Sequence, residues 1–335
     1  MERGDKIKNI SEQDMVSQSL IAWENFGYEK INDINFKKNI HAIVKLKKDN
    51  GVFYCKLEES ILKSNKNKFN EEKLINNILI EELKNNKIEN ENIVIPKAVE
   101  LIQSNGVDGI IYEYFNDSSE KYDYSDEEKI SILLRVDKFI KSIPLSERFK
   151  FLLQKRTIVE YLEKLNEFMF TGSSEIKSMA VELSGLLRAD NFESSDMVLN
   201  HGDLDMSNIG YDLMAQKIAI FDLEALCIGN SINALAHCSY QSVLYKIYNR
   251  LPDKDKQQVK RWDVIAGADF YKIIESKITE TKSLKQFYGI NMFYALSECF
   301  DGLSIKNNNK ILEIELEENI KFFHDNIDKL NKITQ

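Results

Sequence analysis

The chain has 335 residues, 43% hydrophobic and 30% charged, with a formal net charge of −9. That length and mix suit a folded protein with a sizeable core and exclude wholesale disorder. The negative charge would repel a phosphate backbone, which argues against nucleic acid and leaves room for a cationic small molecule. The four cysteines (Cys55, Cys227, Cys238, Cys299) form no CxxC pair, so neither a disulfide framework nor a zinc site is expected. The opening residues, MERGDKIKNISEQD, hold no apolar signal core, and no run of about 18 apolar residues occurs anywhere. The expected location is the cytoplasm, with no membrane partner.

Val16, Leu20 and Trp23 share a helical face, and Ser11 with Asp14 resembles a capping box, so a helix is predicted over 11–26. Lys30–Phe36, Ala42–Lys47 and Val52–Leu57 alternate partly and are separated by polar turns. Between the last two, Asp49-Asn50-Gly51 is a strong hairpin signal, because Asn-Gly accepts the positive φ that tight turns need. Leu74, Ile75, Ile78, Leu79 and Leu83 recur at helical spacing and predict a helix over 70–85. Strands are predicted at Ile93–Ile95, Ala98–Ile102 and Gly109–Phe115, giving a sheet of about five strands and one long helix. Beyond the polar run Asn116-Asp117-Ser118-Ser119 the pattern turns helical, over 126–142, 157–169, 174–188 and from about residue 230 onward. The expected class is α+β, with a small lobe over 1–115 and a larger helical lobe over 116–335.

The stretch VLNHGDLDMSNIGYDLMAQKIAIFDLE, residues 198–224, interrupts those helices. Two apolar strand-like pieces, 197–199 and 218–221, flank a loop carrying His201, Asp203, Asp205 and Asn208, and the second piece runs into Asp222 and Glu224. Carboxylates are costly to bury unpaired, so this density implies a counter-charge such as Mg²⁺ carrying nucleotide phosphates. A lone HGD is compatible with an ordinary turn. Asp203, Asn208 and Asp222, in that order and spacing between two strands, are a far more specific pattern.

That constellation resembles the catalytic loop and metal-binding aspartate of the aminoglycoside phosphotransferase and choline kinase superfamily, the small-molecule branch of the protein-kinase-like fold. These enzymes carry HGD…N where protein kinases have HRD…N. The resemblance implies a bilobal kinase-like fold, with an antiparallel sheet plus one helix in the small lobe and a mainly helical large lobe. Asp203 would take the acceptor hydroxyl's proton, and Asn208 and Asp222 would hold Mg²⁺ bridging the phosphates of ATP, with GTP possible. His201 would hold the loop backbone, and Gly202 would permit its tight turn. Asp205 is open between support of the loop and a face towards substrate, and Glu224 between reaching the site and shaping the loop.

Lys56, in the strand VFYCKLE, matches the lysine that grips the α/β-phosphates, and its carboxylate partner would be Glu72 or its neighbour Glu71. GIIYEYFND resembles the hinge, where main-chain groups of Glu113 and Phe115 would bind adenine and Tyr112 would line the back of the pocket. One departure stands out: the segment Asn35-Phe36-Lys37-Lys38-Asn39, between the first two strands, has no glycine to let the backbone approach phosphate. His237, His324, Trp262, Phe270 and Tyr271 read as packing residues. The implied activity is phosphorylation of a hydroxyl on a small molecule, neutral or cationic, by a monomer or homodimer. An aminoglycoside-like antibiotic leads, with choline, amino-alcohol or sugar as rival acceptors. A catalytically silent binding protein is the reading of another class.

Overall fold

A computed structural model describes residues 23–30, 35–37, 41–59, 68–104, 107–118, 123–189, 197–256, 267, 269–304 and 310–334. The hairpin signal at residues 49–51 joins β3 (His41–Lys48) to β4 (Gly51–Glu59), with Asp49 at a φ of 53° and Val44 opposite Cys55. Alternation then decides which face is buried: Val44, Leu46, Cys55 and Leu57 close over Trp23, Ile102 and Ile111. The sheet runs β1-β3-β4-β7-β6, with β2 beside β3 on the same edge as β1; β1 is Glu29–Lys30, β2 Asn35–Lys37, β6 Ala98–Ser104 and β7 Val107–Glu113.

Three expectations need correction. Lys30–Phe36 is described as strand only at its ends, in β1 and β2, whose registers against β3 differ by two residues (Lys30 faces Leu46, Asn35 faces Ile43); 31–34 lie outside the described residues. Asn35–Lys37, taken as part of a phosphate-facing loop, is strand β2 paired antiparallel to His41–Ile43; Lys38 and Asn39 lie outside the described residues. The third concerns β5 (Ile93–Val94), which leaves the main sheet and pairs in parallel with a strand more than a hundred residues later, Ile218 facing Ile93. Most of the helix predicted over 11–26 also lies outside the described residues.

The long helix α1 (Lys68–Asn85) buries Phe69, Ile75, Ile78 and Leu79, while Leu74 is 44% exposed. Glu72 and Asn76 occupy that buried face among the apolar side chains. Asn76 is satisfied there: its Nδ2 donates to Pro96 O at 2.9 Å, and its Oδ1 accepts from Ala98 N at 2.8 Å. Two hydrogen bonds from one side chain thus fix the helix against the start of β6, which offsets the cost of burying the amide.

The rest is helical around two small sheets. α2 (Asp126–Lys141) starts at Ser125, whose hydroxyl accepts from Glu128 N while Glu128 reaches back to Ser125 N, a capping box. α3 (Glu147–Leu152), β8 (Gln154–Arg156), α4 (Ile158–Thr171) and α5 (Ser174–Ala189) follow. Then come β9 (Met197–Asn200), β10 (Ile209–Asp212), β11 (Lys217–Ile220) and β12 (Cys227–Asn230). The chain closes with α6 (Asn233–Arg250), α7 (Asp253–Lys256), α8 (Phe270–Lys277), α9 (Thr281–Ser304) and α10 (Lys310–Thr334). The strands flanking the polar loop do not pair with each other: β9 joins β12 and β8, and β11 joins β10 and β5. Phe168, Phe270, Phe287 and Phe323 anchor one large core that also takes in Ile75, Ile78 and Leu79 of α1. Among the described residues no helix is long and apolar enough to cross a membrane.

Candidate active site

The polar loop leaves β9 at Asn200 and is held by its own backbone. His201 Nε2 lies 2.8 Å from Phe221 O; since a carbonyl only accepts, this nitrogen carries the proton. Asp203 N donates to His201 O at 2.8 Å, a turn that requires Gly202 at a φ of +72°. A Cβ on Gly202 would stand 2.0 Å from Ala225 O, so a side chain is excluded on steric grounds as well. Arg156 of β8 donates from Nη1 to Gly202 O at 2.6 Å and fixes the turn from below. Neither the sequence order nor any local pattern marked Arg156, because the parallel pairing of β8 with β12 that brings it here is non-local.

From that turn Asp203 projects with 43% of its side chain exposed. Asn208 Nδ2 donates to Asp203 O at 2.8 Å and to Asp203 Oδ2 at 3.2 Å. Asp205 turns inward as a cap: its Oδ1 accepts from Ser207 N at 2.6 Å and from Asn208 N at 3.2 Å. Burial, with the neighbouring Asp203 charge adding to it, pushes the Asp205 carboxyl up to about 6. Through Oδ1, Asp205 thus supports the loop backbone.

Asp222 follows β11 in the left-handed region, φ 57° and ψ 49°, a conformation aspartate tolerates better than most residues. Phe221 N donates to Asn208 O at 2.9 Å, so the two polar segments are joined directly. Lys56 of β4 reaches across the cleft, with its Nζ 2.8 Å from Asp222 Oδ1, 3.2 Å from Glu72 Oε2 and 3.8 Å from Glu224 Oε2. Burial alone would lower the Lys56 pKa, but Glu72, Asp222 and Glu224 outweigh it and hold the ammonium well above the usual lysine range. Of the two carboxylates at the start of α1, Glu72 is buried and receives Lys56 and the Tyr112 hydroxyl, whereas Glu71 is exposed. Lys68, at the first turn of α1, pairs with Glu224 Oε1 at 2.9 Å, a contact the sequence did not single out.

Oxygens of Glu72, Asp222 and Glu224 all lie within 4.8 Å of one another. Three carboxylates against Lys56 and Lys68 leave surplus negative charge, and a hard oxygen donor set of this kind suits Mg²⁺ or Ca²⁺. On the far side, Glu113 is exposed at the end of β7, with its N–H donating to Lys97 O at 2.9 Å. Phe115 is buried, its ring edge-on to Phe221 at 6.4 Å. The segment beyond, Asp117-Ser118, bonds to the backbone of Tyr211. Phe270 and Tyr271 pack in the core, whereas His324 is exposed and Trp262 lies outside the described residues. His237, expected only to pack, places Nε2 3.5 Å from Asp203 Oδ1. Cys227 is a buried thiol, its pKa raised by burial.

A sheet with one long helix, a lysine–glutamate pair between them, and a loop and an aspartate facing that pair from a helical half are now in place. The fold is protein-kinase-like. No family model matches the chain, and no curated protein matches it. The kinase-like architecture is instead seen in solved structures. An ethanolamine kinase from Plasmodium vivax aligns at a TM-score of 0.56 and 15% identity, covering 96% of this chain and 93% of its own. An amicoumacin kinase in complex with AMP-PNP, Ca²⁺ and Ami aligns at 0.56 and 14%, covering 96% and 94%. A putative aminoglycoside phosphotransferase from Ralstonia eutropha aligns at 0.55 and 12%, covering 94% and 98%. At such identities the likeness is one of fold.

Proposed function

We propose that this protein is a Mg²⁺-dependent kinase that moves the γ-phosphoryl group of ATP, or of GTP, to a hydroxyl of a small molecule. The observation that carries this reading is Lys56 bridging Glu72 and Asp222, with Asp203 presented on an adjoining, backbone-locked loop. Phosphoryl transfer asks a protein for position and charge rather than covalent chemistry, and this site supplies both. Asp222 and Asn208 would hold Mg²⁺, with Glu224 within reach, and the ion supplies neutralisation of phosphate charge. Lys56, kept cationic and aimed by Glu72, grips the α/β-phosphates. Main-chain groups of Glu113 and Phe115 bind the adenine, where a small lobe over 1–115 meets a larger one over 116–335.

In the chemical step the acceptor oxygen bonds to the γ-phosphorus as the bond to the β–γ bridging oxygen breaks. Asp203 takes the hydroxyl proton, and the nucleoside diphosphate leaves with the bridging oxygen. The acceptor class we favour is a cationic, aminoglycoside-like antibiotic, for resistance or biosynthesis; an amino alcohol such as choline, or a sugar, is the rival. The net charge of −9 supports a cationic acceptor, and the named kinases of similar fold support small-molecule acceptors in general.

The test is a thermal-shift series with Mg-ATP and Mg-GTP, then with amino sugars and amino alcohols added. A ligand that binds only the folded state raises the melting temperature. Stabilisation by a nucleotide that disappears with chelator or in Asp222→Ala is the expected result. Absence of any nucleotide effect would favour the catalytically silent binding protein.

A further inference from the structure

We propose that His237 is a positioning residue for Asp203, donating from Nε2 to Oδ1 so that the carboxylate keeps one rotation about χ2. The inference rests on Asp203 being the base of a kinase, and it deepens that assignment. A terminal carboxylate torsion is soft, and an aspartate held at one oxygen swings easily. Asn208 holds Oδ2 at 3.2 Å. The group facing Oδ1 is His237, at 3.5 Å, longer than a formed hydrogen bond but short enough to close by a small rotation as the complex tightens. With both oxygens directed, the lone pairs left over are the ones aimed at an incoming hydroxyl.

The imidazole is placed for this by its helix. Asn233 and His237 are one turn apart on α6 and share a face. Asn233 Nδ2 donates to Arg156 O at 2.9 Å, which seats that face against β8 and so beneath the catalytic turn. Tyr294 of α9 meets the His237 ring edge-on at 5.1 Å and prevents it from turning away. His237 Nδ1 is buried without a hydrogen-bond partner, which fits a neutral ring with its proton on Nε2. The groups facing the ring favour the same form. Burial lowers its pKa, Asp203 opposes that, and Arg156 and His201 add to the lowering, for a net shift below the ordinary histidine value. A neutral donor suits the task, because an imidazolium would weaken Asp203 as a base.

Two measurements test it. First, the four histidines are nitrogen-15 labelled and their imidazole spectra recorded with and without Asp203→Asn. The His237 ring should show a neutral, Nε2-protonated tautomer whose titration moves in the variant; an unmoved titration overturns the contact. Second, His237→Gln and His237→Asn are compared in Mg-ATP turnover, with water as acceptor or with the acceptor found by screening. Glutamine places its amide nitrogen where Nε2 stood, asparagine where Nδ1 stood. The Gln variant should keep kcat within about threefold, and the Asn variant should lose on the order of tenfold, with nucleotide KM unchanged in both. Equal turnover in the two variants overturns the proposal. A wild-type protein that neither binds nor turns over nucleotide fails the kinase reading instead, and the imidazole spectra still decide the contact.

Discussion

At the scale of single residues, the turn from His201 to Asp203 is set by what cannot be there. Any side chain at 202 would meet Ala225 O, and the positive φ adds backbone strain of roughly 1–3 kcal/mol. Gly202→Ala should therefore lower the unfolding midpoint in chemical denaturation and also abolish turnover; a folded, fully active variant would show that the turn is not needed. Asp203→Ala should leave nucleotide-induced stabilisation intact and cut turnover by about 10²–10⁴-fold, as loss of a general base does. Asp205 gives a signed pH prediction. Its carboxyl, near 4 when unfolded, is raised to about 6 in the fold, so the folded state binds the extra proton. Stability then falls as pH rises from about 4 to about 6 and stays reduced above that. Asp205→Asn keeps an acceptor for Ser207 and Asn208 but carries no charge. It should raise unfolding free energy near pH 8 by about 1–2 kcal/mol, a gain that vanishes below about pH 4. A loss near pH 8 would contradict the assigned cause.

Among the elements, what was legible in the sequence was local. The Asp49-Asn50-Gly51 turn, the spacing of α1 and the helices over 126–141, 158–171 and 174–189 all follow from patterns within one or two turns of chain. What was not legible depended on pairing across long separations. The short strands β8 and β12 carry little alternation, so Arg156 had no visible reason to meet Gly202. Leu74 shares the apolar spacing of α1 yet is exposed, while Glu72 is buried because Lys56 and Tyr112 satisfy it. His237 was hidden because a histidine on a mostly apolar helix looks like packing until the loop opposite is known. Ser125 offers a test at this scale: its capping box closes the first turn of α2. Ser125→Ala should cost about 1 kcal/mol in denaturant unfolding, with no change in turnover.

Across the whole molecule, the acidic cluster is shared between the two halves. Lys56 and Glu72 come from the sheet and its helix, Asp222 and Glu224 from the segment after β11, and Lys68 ties α1 to Glu224. Mg-nucleotide bound there would therefore clamp both halves at once, and its stabilisation should register as a single cooperative transition in calorimetry. Two separate transitions, only one responding to nucleotide, would show the halves unfolding independently.

The placement of β5 has a consequence for how this chain can be divided. Ile93 and Val94 belong by sequence to the first 115 residues, but they complete a sheet whose other strands lie at 209–220. A cut at the apparent seam after residue 115 would strand those two residues and leave β11 with an open edge, an invitation to self-association. The seam is interlocked rather than abutted. A fragment ending at 115 should aggregate when made alone and regain solubility when co-expressed with 116–335, which sedimentation of the paired fragments would reveal.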